Sequence, residues 1–134
     1  MKKKNEIINI IDELTALLAK EGKTMNIEDW NQNIGQLQAY ITVLGINSSN
    51  YKDYAYTMDG LANNKNYWNR QRKQIKEKAE ELNYFTKTAE ELKAELKKAE
   101  EDEQEAYRIG GQNQSKVVDA MDRQYAAKYT LNNI

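Results

Sequence analysis

The 134-residue chain contains no proline, no cysteine and no histidine. Without proline nothing forces a helix to stop, so turns fall to Gly, Asn, Ser and Thr. Without cysteine there is no disulfide, no thiolate metal site and no thiol nucleophile. Without histidine the chain lacks the side chain that titrates nearest neutrality and the commonest transition-metal ligand. Long apolar runs are missing too. The stretch from Ile7 to Leu18 is broken by Asn9, Asp12 and Glu13, so the Lys2-Lys3-Lys4 start is not expected to open a signal peptide. No other run approaches the ~18 apolar residues of a membrane span. The expected location is the cytoplasm or the interior of a viral particle, and no metal or cofactor is expected.

Large aliphatics are scarce. Eleven Ile, ten Leu, three Val and one Phe make up about 19% of the chain, near the level at which chains stay unfolded if net charge is also high. Here 20 Lys+Arg and 21 Asp+Glu nearly cancel, to −1, and nine Tyr and two Trp add apolar area. That balance describes a folded chain short of core, of the kind that completes its burial against a second chain. Fifteen Asn and sixteen Lys fit an AT-rich coding source such as a low-GC bacterium or its phages.

What the chain does have is helical periodicity. Ile7, Ile10 or Ile11, Leu14, Leu17 and Leu18 recur on one face of a helix expected over Asn5 to Glu21, with Gly22 as its C-terminal cap. Ile27, Trp30, Ile34, Leu37, Ile41 and Leu44 alternate three and four apart, a narrow heptad seam. Asn26 suits its N-cap, and Gly45 is expected to stop it. These two helices read as an antiparallel hairpin over residues 5–47. Tyr51, Tyr54, Tyr56, Met58 and Leu61 then suggest a short helix ending near Ala62, where Asn63-Asn64-Lys65-Asn66 has poor helix propensity; a continuous helix through that cluster is the alternative.

From Tyr67 to Arg108 the composition is helical throughout. As one rod it would be ~63 Å long at about 1.5 Å per residue. Two features favour a break at residues 83–88. The seam Trp68, Arg72, Ile75, Ala79, Leu82 slips phase at Phe85 before Ala89, Leu92, Leu96 and Ala99 resume it. Thr88-Ala89-Glu90-Glu91 also fits a capping box. Opposed charges point the same way: residues 65–78 carry six cations against Glu77, a net +5, and residues 90–105 carry eight acids against three lysines, a net −5. Folding back around Phe85 would lay one block beside the other. Gly110-Gly111 should end the acidic helix and Ser115 cap a last one, with Val117, Val118, Met121, Tyr125 and Tyr129 on its apolar face. The expected fold is an all-α antiparallel helical bundle in one domain: a first hairpin (5–47), an extended charged hairpin (48–109) and a C-terminal helix (112–134). One long coiled-coil helix is the alternative for the charged stretch.

Few motifs carry chemistry. Gly110 to Lys116 has Ser and Lys in the wrong order for a phosphate loop and reads as a helix cap. The run Glu100-Glu101-Asp102-Glu103 with Glu105 lies in a helix without the glycine turn of a calcium loop, and a di-iron site would need histidine. It reads as a solvated helix face. The basic stretch around Trp68, Arg70, Arg72 and Lys73 has the cations and aromatics of a nucleic-acid contact. Against that, Trp68 and Ile75 sit seven apart like core residues, and the whole chain is not basic.

These readings converge on a non-enzymatic protein–protein interaction or assembly protein, plausibly a homo-oligomer and a structural or scaffold component of a phage or mobile element. An inhibitor that blocks a host nucleic-acid enzyme through its acidic helix is the alternative. A nucleic-acid-binding accessory factor is the weaker one, and no membrane contact is expected. The candidate interaction residues are Trp30, Ile34, Leu37, Tyr51, Tyr54, Trp68, Arg70, Arg72, Lys73, Tyr125 and Tyr129.

Overall fold

The computed structural model describes residues 3–47, 57–110 and 114–134. These form an all-α bundle of five helices: α1 (Lys4–Glu21), α2 (Ile27–Asn47), α3 (Met58–Glu81), α4 (Ala89–Ile109) and α5 (Gln114–Asn132). A single 3-10 turn, Tyr84–Thr86, precedes α4. The chain divides into two compact units, residues 1–23 with 27–71 and residues 24–26 with 72–134.

In the first unit α1 packs on α2. Ile7, Ile11 and Leu18 of α1 are buried, as are Trp30, Ile34, Leu37, Ile41 and Leu44 of α2, so the heptad seam is the core seam. Only Ile27, at the first turn, is left exposed. Each fully buried Leu here contributes about 1.5–3 kcal/mol. Gly22 ends α1, but in right-handed helical geometry, with its N–H bonded to the Leu18 carbonyl at 2.9 Å. Its value is therefore space: a Cβ there would collide with the Leu18 carbonyl oxygen and crowd the Trp30 ring. Gly45 does not stop α2, which runs on to Asn47.

The short aromatic helix is also corrected. Thr57 Oγ1 accepts from the Gly60 N–H at 3.0 Å, and α3 then continues through the Asn cluster to Glu81. Buried Leu61 and Trp68 on either side of that cluster anchor the segment, and such packing outweighs a few tenths of a kcal/mol of poor propensity per residue, an order ~0.5. Trp30 and Trp68 meet edge to face, their ring centroids 6.0 Å apart. Tyr51, Tyr54 and Tyr56 lie outside the described residues.

The break in the charged stretch is present. Asn83 takes a left-handed conformation (φ 60°), which Asn tolerates better than most residues. Thr88 and Glu91 then form the full capping box: the Glu91 N–H donates to Thr88 Oγ1 at 3.2 Å, and the Thr88 N–H donates to Glu91 Oε1 at 3.1 Å. The aromatic anchor of this corner is Tyr84, which is buried, whereas Phe85 is exposed. Tyr84 joins Ala79, Leu92, Ala126 and Ala127 in the core of the second unit, with Leu82, Leu96 and Leu131 packed around them.

The charges are distributed differently from the expectation that the two blocks lie against each other. Cross-helix ion pairs run to α5: Lys78 of α3 reaches Asp119 at 3.5 Å, and Arg123 reaches Asp102 of α4 at 2.9 Å. α4 packs chiefly on α5. Leu92, Ala99 and Ala106 of α4 are spaced seven apart and buried, as are Ala120, Ala126 and Ala127 of α5, and Leu92 shares one core cluster with Ala126 and Ala127. Five alanines and Thr130 form this inner layer, so two helices with little aliphatic area still pack closely.

Candidate interaction surface

Among the described residues no group of carboxylates is arranged to hold a metal ion, and no helix is long and apolar enough to cross a membrane. The best-organised polar cluster is on Arg123. Its Nε donates to Asp119 at 3.0 Å and its Nη2 to Asp102 at 2.9 Å. Burial works against the Arg123 charge, but these two hydrogen bonds more than offset it and raise its pKa. A neighbouring amide, Gln124 Nε2, donates to Glu103 at 2.8 Å. Every functional group in this cluster is occupied by a partner, as in a structural clasp. A groove of about 390 Å³ beside it, with charged and apolar walls, is lined by Asp102, Glu105, Ala106, Ile109, Ser115, Lys116, Asp119 and Arg123.

The other side of the α4–α5 pair is different in kind. There Ala106, Tyr107, Gly110, Gln114, Val117, Val118 and Met121 line an apolar groove of about 530 Å³ without one charged side chain. Tyr107 is 58% exposed and Val118 50%. The groove arises from the phase of α5. The sequence pattern assigns Val117, Val118, Met121, Tyr125 and Tyr129 to the buried face, but the buried residues of α5 are Ala120, Ala126, Ala127 and Thr130 instead. The larger side chains are therefore turned partly outward, and Tyr107 of α4 extends their surface. Gly110 takes φ 105° after the end of α4, a conformation open to glycine and strained for side-chain-bearing residues. The last helix begins at Gln114, so Ser115 lies inside it and does not cap it.

The candidate residues read from sequence separate into three groups. Trp30, Ile34, Leu37 and Trp68 are buried within the first unit and so give no surface to a partner, which corrects their reading as an interface. Arg72 is buried as well. Its Nη1 donates to the Met25 carbonyl at 3.0 Å and its guanidinium lies over the Tyr129 ring, 5.5 Å from the centroid. Burial lowers its pKa from the ordinary value, although a guanidinium stays protonated in proteins. Tyr129 is half-buried by this contact, and Tyr125 is half-buried beside the groove side of α5. Arg70 and Lys73 are exposed on the outer side of α3. Tyr51 and Tyr54 lie outside the described residues. Tyr107 was not legible as an interface residue, because it stands alone after a long charged run.

Compared with protein-family models, curated proteins and solved structures, the chain matches none of them.

Proposed function

We propose that the chain is a non-enzymatic protein–protein interaction protein that works through the apolar groove between α4 and α5. The observation that carries this reading is the uncharged groove in which Tyr107 and Val118 stand more than half or half exposed, on a chain whose large apolar residues are scarce. Contiguous exposed apolar surface marks contact sites more often than chance scatter does, and tyrosine is enriched at such contacts. The near-neutral charge removes the long-range repulsion that would oppose crowding into an assembly. A scaffold or structural component of a larger particle, such as that of a phage, is the setting this reading favours.

The test is a photoreactive side chain at position 118, irradiated in the protein's native cells. Protein adducts are expected at 118, absent when the probe sits at exposed Lys20 of α1, and lost when Tyr107→Asp is added. Equal adducts at both positions, or none at 118, would overturn the reading.

A further inference from the structure

The groove is apolar, but its border is acidic. Glu100 lies seven residues before Tyr107 on α4, and Asp122 lies four after Val118 on α5. Those spacings place each acid on the stripe of its neighbouring groove residue. Glu100 and Asp122 are exposed and take part in none of the ion pairs described above. Exposed Lys128 lies seven after Met121, so acids outnumber cations on these stripes and favour an occupant that brings apolar contact together with positive charge.

The same chain carries such a face. On α3, Trp68, Arg72 and Ile75 are buried, which turns Tyr67, Arg70 and Lys73 outward. Tyr67 is 45% exposed; Arg70, three residues on, is its neighbour on the helix surface, and exposed Lys73 lies three beyond Arg70. This ring can enter an apolar groove while its flanking cations meet the acidic border. Arg70, Lys73 and Lys76 are absent from the ion pairs described above, which match Lys78 and Arg123 to acids instead.

We infer that the groove takes the α3 face of a second copy of this chain: Tyr67 against Val117, Val118 and Met121, with Arg70 and Lys73 facing Glu100 and Asp122. The inference rests on the reading of the groove as a protein contact and names its occupant. Groove and basic face are different surfaces, so the contact is heterologous. Repetition of a heterologous contact produces a ring or an open chain of subunits, the geometry an assembly protein needs. Charge complementarity also makes the association sensitive to salt.

Sedimentation velocity on the whole chain tests it. The wild type should show mass rising with concentration, and the association should weaken as salt increases. Two variants at exposed positions, Arg70→Glu with Lys73→Glu and Val118→Asp, should each keep their circular dichroism spectrum. Each should associate at least roughly tenfold more weakly than the wild type. Mixed together they should form a dimer and nothing larger, because each retains the surface the other has lost. A wild type that stays monomeric at all concentrations overturns the inference, as does self-association that the two variants leave unchanged. If the monomer persists while position 118 still yields adducts in native cells, the second copy is excluded and the groove remains a protein contact. If neither is seen, both readings fail. Tight binding of a fluorescent single-stranded oligonucleotide that Arg70→Glu with Lys73→Glu abolishes, by a wild type that does not self-associate, would assign the basic face to nucleic acid and also overturn the inference.

Discussion

The guanidinium of Arg72 lies 5.5 Å from the centre of the Tyr129 ring, bringing the middle of α3 to the last turns of α5. Its Nη1 also holds the Met25 carbonyl at 3.0 Å, and Asn132 Nδ2 holds the adjacent Thr24 carbonyl at 2.6 Å. Residues 24–26 are thus fastened into the second unit by two side chains. Arg72→Ala removes a charge-assisted hydrogen bond and the packing of the arginine stem, and should cost roughly 2–3 kcal/mol. Arg72→Met keeps most of the volume and avoids burying a charge, so it should cost less than half of that. Urea denaturation of the two variants checks the order; equal losses would show that the stem's packing is irrelevant.

Trp30 is a core residue of its own chain, buried and edge-on to Trp68. Trp30→Ala should destabilise by about 3–5 kcal/mol. Loss of helicity on mild heating is expected, with no change in mass under conditions where the variant is still folded. A variant that keeps wild-type stability but has a lower mass would place Trp30 at an interface between chains.

Thr88 and Glu91 satisfy each other's backbone amides at the start of α4. Hydrogen bonds from the Thr88 backbone and side chain hold the Glu91 carboxyl below its ordinary value. Thr88→Ala should cost about 1 kcal/mol, within the usual 0.5–2 for a lost N-cap. An NMR titration of Glu91 should show its pKa rising toward the ordinary value in that variant. Because the folded-state value is depressed, this contribution is present above the unfolded pKa and fades as pH falls through the folded one.

Tyr84 gives the opposite pH dependence. Burial, seconded by the charge of Glu95, raises its phenol above the ordinary value. Its contribution is therefore complete below about pH 10, the unfolded value, and is lost as pH rises through the folded value. Tyr84→Phe should flatten the alkaline fall in urea midpoint relative to the wild type. An unchanged alkaline slope would show that Tyr84 ionises as freely in the folded chain as in the unfolded one.

The α2 seam and the Thr88 capping box were legible in the sequence because each follows from a spacing of chemically distinctive residues. Arg72 was legible as a seam position between Trp68 and Ile75, though not its partners Met25 and Tyr129, which are distant in sequence. The phase of α5 was hidden for a physical reason. Alanine carries little weight in an apolar pattern, so Val118 and Tyr125 outweighed Ala120 and Ala127 in choosing the buried face. Helix packing buries the alanines, whose small side chains let neighbouring helices approach closely. The groove follows from that choice, so a pattern that takes the bulkier residues as core cannot reveal it. The opposed charge blocks failed as a guide to contact for a related reason. Surface pairs are worth about 0–1 kcal/mol each, too little to decide which helix α4 meets against the packing of its alanine layer.

The most direct test of the groove as a self-association surface is methyl NMR of the whole chain over a concentration series, from tens of micromolar to about a millimolar, the range in which weak association is read. The Met121, Val117 and Val118 methyls should shift with concentration, and the shifts should diminish at high salt. The methyls of buried Ile11 and Leu37 should stay still. Groove methyls that remain fixed throughout the series would contradict the self-assembly account.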